Sequence, residues 1–118
     1  MPLVKIDYDA KKVSNEELKQ VIEITQQNLI ETFNSSDGAI SIFLYPYHEL
    51  AHSTQAIELE VGAKVSEFYT RKKNFDEAVK ERLASLTDVF ENWKKEHSFN
   101  HSIVLTMCPY NWQPKFLE

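Results

Sequence analysis

Apolar residues recur along this chain at two spacings, which predict four strands and two helices. The four predicted strands cover residues 3–9, 39–45, 55–61 and 102–108. The first and third alternate apolar and polar positions, whereas the second and fourth are more continuously apolar. Pro46 is expected to end the second strand and Gly62 to close the third. Residues 109–118 contain two prolines and are predicted to form an irregular tail.

Two segments with apolar residues every three or four positions predict amphipathic helices. The first opens with a capping box, in which the Ser14 hydroxyl can accept from a backbone N–H while Glu17 reaches back. Its apolar stripe consists of Leu18, Val21, Ile22, Thr25, Leu29 and Phe33. After a basic loop over residues 63–73, Asn74 and Glu77 are predicted to open the second helix. Its stripe consists of Val79, Leu83, Leu86, Phe90 and Trp93.

The order strand–helix–strand thus occurs twice, and the two halves match in detail. The stretches SIFLYPY (41–47) and SIVLTMCPY (102–110) both run from Ser-Ile to Pro-Tyr after a helix, which indicates an internal duplication. Right-handed crossovers make the two strands of each unit parallel. We therefore predict a single α+β domain over residues 1–118, in which two pseudo-symmetric β-α-β units form a four-stranded mixed sheet with both helices on one face. The other face lacks cover, so we expect chains to associate through it.

Composition narrows the range of partners and compartments. The net charge of −5 argues against nucleic acid or an anionic membrane as the main partner. With two glycines in the chain there is no Gly-rich phosphate loop, and no cofactor is predicted. Cys108 has no second cysteine to pair with and is interpreted as a small buried hydrophobe. No window approaches the ~18 apolar residues of a membrane span or signal-peptide character, which favours a cytoplasmic protein.

One short motif is compatible with a metal site. The segment from His48 to His52 (HELAH) fits H-E-x-x-H, in which two histidines on one helical face bind zinc and the glutamate polarises water. Here the motif lies between Pro46 and a predicted strand, and no third ligand follows at the metzincin spacing. We therefore favour a connecting turn, and we keep a zinc hydrolase that uses His48, Glu49 and His52 as the alternative.

Pro2 is a candidate general base. If Met1 is removed, Pro2 becomes a secondary amine at the start of a strand. A free α-amino group titrates near pH ~7.7–8.0, and burial or nearby cations would lower that pKa toward neutrality. Such an amine can act as a general base that transfers a proton at the carbon next to a carbonyl. Taken alone, Met-Pro is a common start that favours no role for Pro2.

The duplicated layout, the proline after Met1 and the length of 118 residues resemble the tautomerase superfamily. The resemblance is to members similar to macrophage migration inhibitory factor and 5-carboxymethyl-2-hydroxymuconate isomerase. It rests on MPLVKI at the start, on the turn from Pro46 to Ala51, on EVGAK (60–64) and on YNW after the last strand. It implies a homotrimer with the sheets packed inward and Pro2 as the base in a pocket between subunits.

The resemblance also implies a set of substrate-binding residues. Lys64 and Arg71 are expected to hold the carboxylate of a small anionic 2-oxo acid, and a planar guanidinium that grips a carboxylate through two bonds favours Arg71. Tyr110 could donate to a developing enolate oxygen. A solvated basic run around Arg71 and a packing role for Tyr110 are the alternatives.

Two features depart from the family pattern. The cation that some such proteins carry before the second strand is replaced by Ser35-Ser36-Asp37, and the fourth strand offers few polar groups. A retained Met1 would leave the Pro2 nitrogen as an amide that cannot accept a proton. Three hypotheses follow: a tautomerase-type isomerase, the zinc hydrolase, and a non-catalytic protein of this fold that acts in binding or assembly.

Overall fold

Two strand–helix–strand units share one sheet in the computed structural model of the chain. The described residues are 2–34, 40–47, 55–64, 68 and 75–110, with the backbone alone described at 75 and 110. The elements in chain order are β1 (Leu3–Asp9), α1 (Asn15–Thr32), β2 (Ser41–Tyr47), β3 (Gln55–Lys64), α2 (Phe75–Glu96) and β4 (Ser102–Tyr110). Each strand and helix predicted from the hydrophobic pattern is therefore present.

The strand order across the sheet is β2-β1-β3-β4. β1 runs parallel to β2, and β3 runs parallel to β4, as the crossover rule predicts. β1 and β3 run antiparallel and join the two units at the centre of the sheet. The predicted mixed α+β sheet is confirmed, and the two most continuously apolar strands lie at its edges.

The hydrophobic core lies between the sheet and both helices. On β1 the buried Val4 and Ile6 alternate with the exposed Lys5, so one face of the strand points into the core. The same cluster contains Leu18, Val21 and Leu29 from α1 and Leu86, Phe90 and Trp93 from α2. Both helices therefore cover the same face of the sheet, and each such side chain stabilises the fold by about 1.5–3 kcal/mol. Neither described helix combines the length and apolar character needed to cross a membrane.

Two hydrogen bonds fix helix α1 against helix α2. The Trp93 indole Nε1–H donates to Gln20 Oε1 at 3.0 Å. The Asn28 side-chain Nδ2 donates to Ser85 Oγ at 3.1 Å. Because Gln20 lies near the start of α1 and Trp93 near the end of α2, the two helices run antiparallel across the sheet.

Arg82 of α2 packs against two aromatic rings at the other end of this helix pair. The guanidinium carbon of Arg82 lies 4.4 Å from the ring centroid of Phe33 and 5.3 Å from that of Phe68. The two rings meet edge to face with centroids 5.3 Å apart. A cation over two ring faces adds a favourable interaction to the area that the rings bury.

Three strands continue beyond the residues that were expected to end them. Pro46 lies within β2 and Pro109 within β4. Since both are edge strands, a missing N–H can face away from the sheet without loss of a ladder hydrogen bond. Gly62 does not close β3 either, because it pairs with Leu3 on one side and Cys108 on the other.

The prediction of a basic loop over residues 63–73 is wrong for its first two residues. Its first two residues complete β3, which ends at Lys64. Phe68 is helical and fully buried. Asn74, the predicted start of the second helix, and the other residues of this loop lie outside the described residues.

The predicted capping box at the start of α1 is confirmed. The Glu17 backbone N–H donates to Ser14 Oγ at 3.1 Å, and the Ser14 backbone N–H donates to Glu17 Oε1 at 2.9 Å. Two of the donors that a helix leaves unpaired at its start are thereby satisfied.

Ser14→Ala should lower the free energy of unfolding by about 1 kcal/mol, because it removes the hydroxyl that accepts from Glu17. Urea denaturation followed by circular dichroism measures the loss. The neighbouring Asn15→Ala keeps both capping bonds and should cause no comparable loss. Equal stability of Ser14→Ala and the wild type would contradict a stabilising role for the box.

Candidate active site

Pro2 directly precedes β1, and less than 2 % of its side chain is exposed. Its carbonyl oxygen accepts a hydrogen bond from the Ser41 N–H at 3.3 Å, which ties it to the start of β2. Proline is compatible with the position before a strand because that position need not donate to the ladder. Pro2 is thus held at one end of a central strand.

The antiparallel pairing of β1 with β3 brings the start of β1 to the end of β3. Leu3 pairs with Gly62, and Lys64 pairs with Tyr110 at the end of β4. Pro2, Lys64 and Tyr110 therefore belong to the same end of the sheet although they are distant in sequence. Lys64 is half-buried there. A base and a carboxylate-binding cation at this end of the sheet could act on the same small molecule.

The remaining predicted site residues lie outside the described residues. They are Arg71 and the three residues of the zinc motif, His48, Glu49 and His52. The zinc alternative is therefore neither supported nor contradicted. Among the residues that the structure describes, no group of three or more His, Cys, Asp or Glu side chains could hold a metal ion.

Three successive rows of side chains lie on the face of the sheet turned away from the helices, here called the open face. The row next to Pro2 consists of Ser41, Leu3, Gly62 and Cys108; the middle row of Phe43, Lys5, Glu60 and Thr106; the far row of Tyr45, Asp7, Glu58 and Val104. Exposed apolar and aromatic side chains lie at its edges, with Phe43 51 %, Tyr45 47 % and Val104 40 % exposed. Its centre is charged, which the apolar character of the edge strands did not predict.

A depression of about 250 Å³ lies on the open face, and its lining includes residues of all three rows. Gly62 has no side chain to fill it, and Lys5, Glu60 and Tyr45 are among the residues that line it. The Lys5 ammonium nitrogen lies 3.7 Å from Asp7 Oδ2 and 5.3 Å from the centroid of the Tyr45 ring. The depression thus combines a cation, a carboxylate and an aromatic ring next to the end of the sheet that holds Pro2.

Cys108 is partly exposed on the open face, which corrects its interpretation as a buried hydrophobe. Partial burial first, then the negative charge of Glu60 and a hydrogen bond to that carboxylate, raise the pKa of the Cys108 thiol. The group is therefore a protonated thiol at neutral pH and a weak nucleophile. Sequence reasoning missed this contact because the alternation in β3 shows Glu60 facing away from the core but not which residue of β4 lies beside it.

No family model matches the chain, and no curated protein matches it in sequence. Solved structures do share its fold. A macrophage migration inhibitory factor-like protein from Entamoeba histolytica superposes with a TM-score of 0.62 at 12 % identity, covering 97 % of this chain and 95 % of that one. FG41 malonate semialdehyde decarboxylase inhibited by 3-bromopropiolate superposes with a TM-score of 0.60 at 11 % identity, covering 97 % and 89 %.

A third solved structure, a fused 4-OT that forms a symmetric trimer, superposes with a TM-score of 0.59 at 8 % identity, covering 92 % of this chain and 85 % of that one. Identities this low show the fold alone. The chain has the tautomerase fold, of the type found in proteins similar to macrophage migration inhibitory factor, as the resemblance implied.

Glu60→Gln should lower the pKa of the Cys108 thiol, because the substitution removes the negative charge that opposes ionisation, while partial burial keeps the rest of the shift. The pH dependence of thiolate absorbance in the ultraviolet measures this change. Glu58→Gln removes the same charge two residues away and should have a smaller effect. An unchanged thiol pKa in Glu60→Gln would contradict the assigned contact.

Proposed function

We propose that the chain is a tautomerase-type isomerase that acts on a small 2-oxo acid with the Pro2 nitrogen as general base. After Met1 is removed, the amine accepts a proton from the carbon next to the carbonyl, and the electrons of the C–H bond form an enolate. The proton then returns to the oxygen, which gives the enol, or to a more distant carbon, which moves a double bond. The reaction needs no oxidant, reductant or cofactor.

The observation that carries this proposal is the location of Pro2. It is buried at the end of a central strand, at the same end of the sheet as Lys64. Burial disfavours the charged form of an amine, so an amino-terminal nitrogen in these surroundings is available as a base near neutral pH. The fold shared with a macrophage migration inhibitory factor-like protein and with malonate semialdehyde decarboxylase adds support.

Lys64 and Arg71 are the proposed carboxylate-binding residues. Lys64 ends β3, and Arg71 follows a few residues later in the chain. A guanidinium can form two parallel hydrogen bonds with a carboxylate, so Arg71 would orient the substrate more strictly than Lys64. Tyr110, at the end of β4, is proposed to donate to the enolate oxygen as negative charge develops there.

The proposed assembly is a homotrimer that uses the open face and completes the site between chains. The exposed Phe43, Tyr45 and Val104 offer apolar area to a neighbour. The symmetric trimer of the fused 4-OT has the same fold, which supports this arrangement.

Pro2→Ala should reduce kcat/KM for the enol–keto conversion of phenylpyruvate by about 100-fold, because general-base catalysis contributes roughly 10²–10⁴-fold. Intact-mass spectrometry first establishes that both proteins lack Met1, and ultraviolet absorbance of the enol then follows the reaction. Pro46→Ala, which changes an exposed proline in β2, is the matched control and should keep wild-type activity.

Equal rates for Pro2→Ala and the wild type would overturn the proposed base. Stoichiometric zinc in the wild type that is lost in His48→Ala would favour the hydrolase instead. Circular dichroism of all variants separates loss of chemistry from loss of the fold.

Arg71→Ala should raise KM for phenylpyruvate by about 10- to 100-fold, because hydrogen bonds to charged groups contribute about 1.5–3 kcal/mol. The effect on kcat should be smaller if the contact holds substrate and transition state alike. Lys73→Ala removes the same charge from the same basic run and serves as the control. Equal effects of the two substitutions would indicate general attraction by the run, without a specific contact at Arg71.

A further inference from the structure

The far row of the open face places two like charges directly opposite each other. Asp7 on β1 and Glu58 on β3 are register partners in an antiparallel pair. Directly opposed residues in such a pair have Cβ atoms about 4.5–5.5 Å apart, and like charges at this spacing destabilise the pair. Glu60 lies on the same face of β3, two residues from Glu58, so three carboxylates share the centre of the open face.

Lys5 is the single cation among the described residues of the three rows. It pairs with Glu60 across the strands, and its ammonium lies 3.7 Å from Asp7 Oδ2. One ammonium thus faces three carboxylates, and Glu58 is the one that is neither its register partner nor its ion-pair partner in these contacts. In a single chain, water solvates this excess charge. Between chains, the carboxylates would lose part of that water and would face the same carboxylates of the neighbours.

The exposed apolar residues of the open face lie at its two opposite edges. Phe43 and Tyr45 belong to β2, and Val104 belongs to β4. In a cyclic assembly the contacts are head to tail, so the β2 edge of one copy can meet the β4 edge of the next. The edges then supply the attraction, while the charged centres of all copies face a common axis.

We propose that the opposed pair of Asp7 and Glu58 acts as an electrostatic brake on self-association of the chain through its open face. The inference rests on the proposed homotrimer. Attraction at the apolar edges and repulsion at the acidic centre oppose each other, so ionic strength sets the balance. The screening length falls from about 10 Å at 0.1 M salt to about 3 Å at 1 M, which weakens the repulsion between exposed carboxylates of neighbouring copies.

The test compares the wild type with the double variant Asp7→Asn/Glu58→Gln by sedimentation velocity over a range of protein concentrations. In 0.1 M NaCl the double variant should reach half-assembly at a concentration about fivefold lower than the wild type. That factor corresponds to about 1 kcal/mol of relieved repulsion. In 1 M NaCl the two should converge, because salt already screens the wild-type charges.

The matched control is Glu23→Gln/Glu91→Gln, which removes two exposed carboxylates from the helices and should assemble like the wild type. Equal half-assembly concentrations and salt dependence for the double variant and this control would overturn the brake and leave the trimer intact. If both the wild type and the double variant stayed monomeric in 1 M NaCl, the trimer and the brake would fail together. Thermal unfolding checks that each variant folds.

Discussion

The antiparallel pairing of β1 with β3 is the constraint on which the rest of the structure depends. Each β-α-β unit alone has two parallel strands and one helix, and a chain of fewer than about 60 residues buries too little surface to be more than marginally stable. The central pairing combines the units into four strands with one core. Because the two strands run in opposite directions, the start of β1 lies next to the end of β3. The antiparallel pairing therefore places Pro2 and Lys64 at the same end of the sheet and Asp7 opposite Glu58.

Element types could be predicted from the sequence because they depend on local spacing. Alternation in β1, the capping box at Ser14 and the apolar stripe of α2 are each contained within a few turns or residues. Strand ends could not be predicted in the same way, and the ends expected at Pro46, Gly62 and Pro109 do not occur. Whether a proline interrupts a strand depends on whether that strand is central or at an edge, and the strand order is a property of the whole fold.

The candidate site likewise has a part that depends on local sequence and a part that depends on the whole fold. Pro2 stands out in the sequence as the residue before an alternating strand, and the family resemblance indicated Lys64 and Tyr110 at strand ends. The contact between Glu60 and Cys108 requires the register of β3 against β4, which no short segment encodes. The charged centre of the open face was missed for a related reason. Alternation along one strand shows which of its side chains share a face, whereas the charges meet across strands.

The two edge prolines have a consequence for how copies of this chain can meet. Residues 42–45 are apolar and aromatic, and such segments at a free edge can template strand addition and the growth of fibrils. Pro46 and Pro109 are exposed near the carboxyl ends of the two edge strands, and neither has an N–H to offer an incoming strand. An added strand would therefore lose hydrogen bonds at both edges. The fold resists open-ended aggregation along its edges while its open face stays accessible to closed assembly.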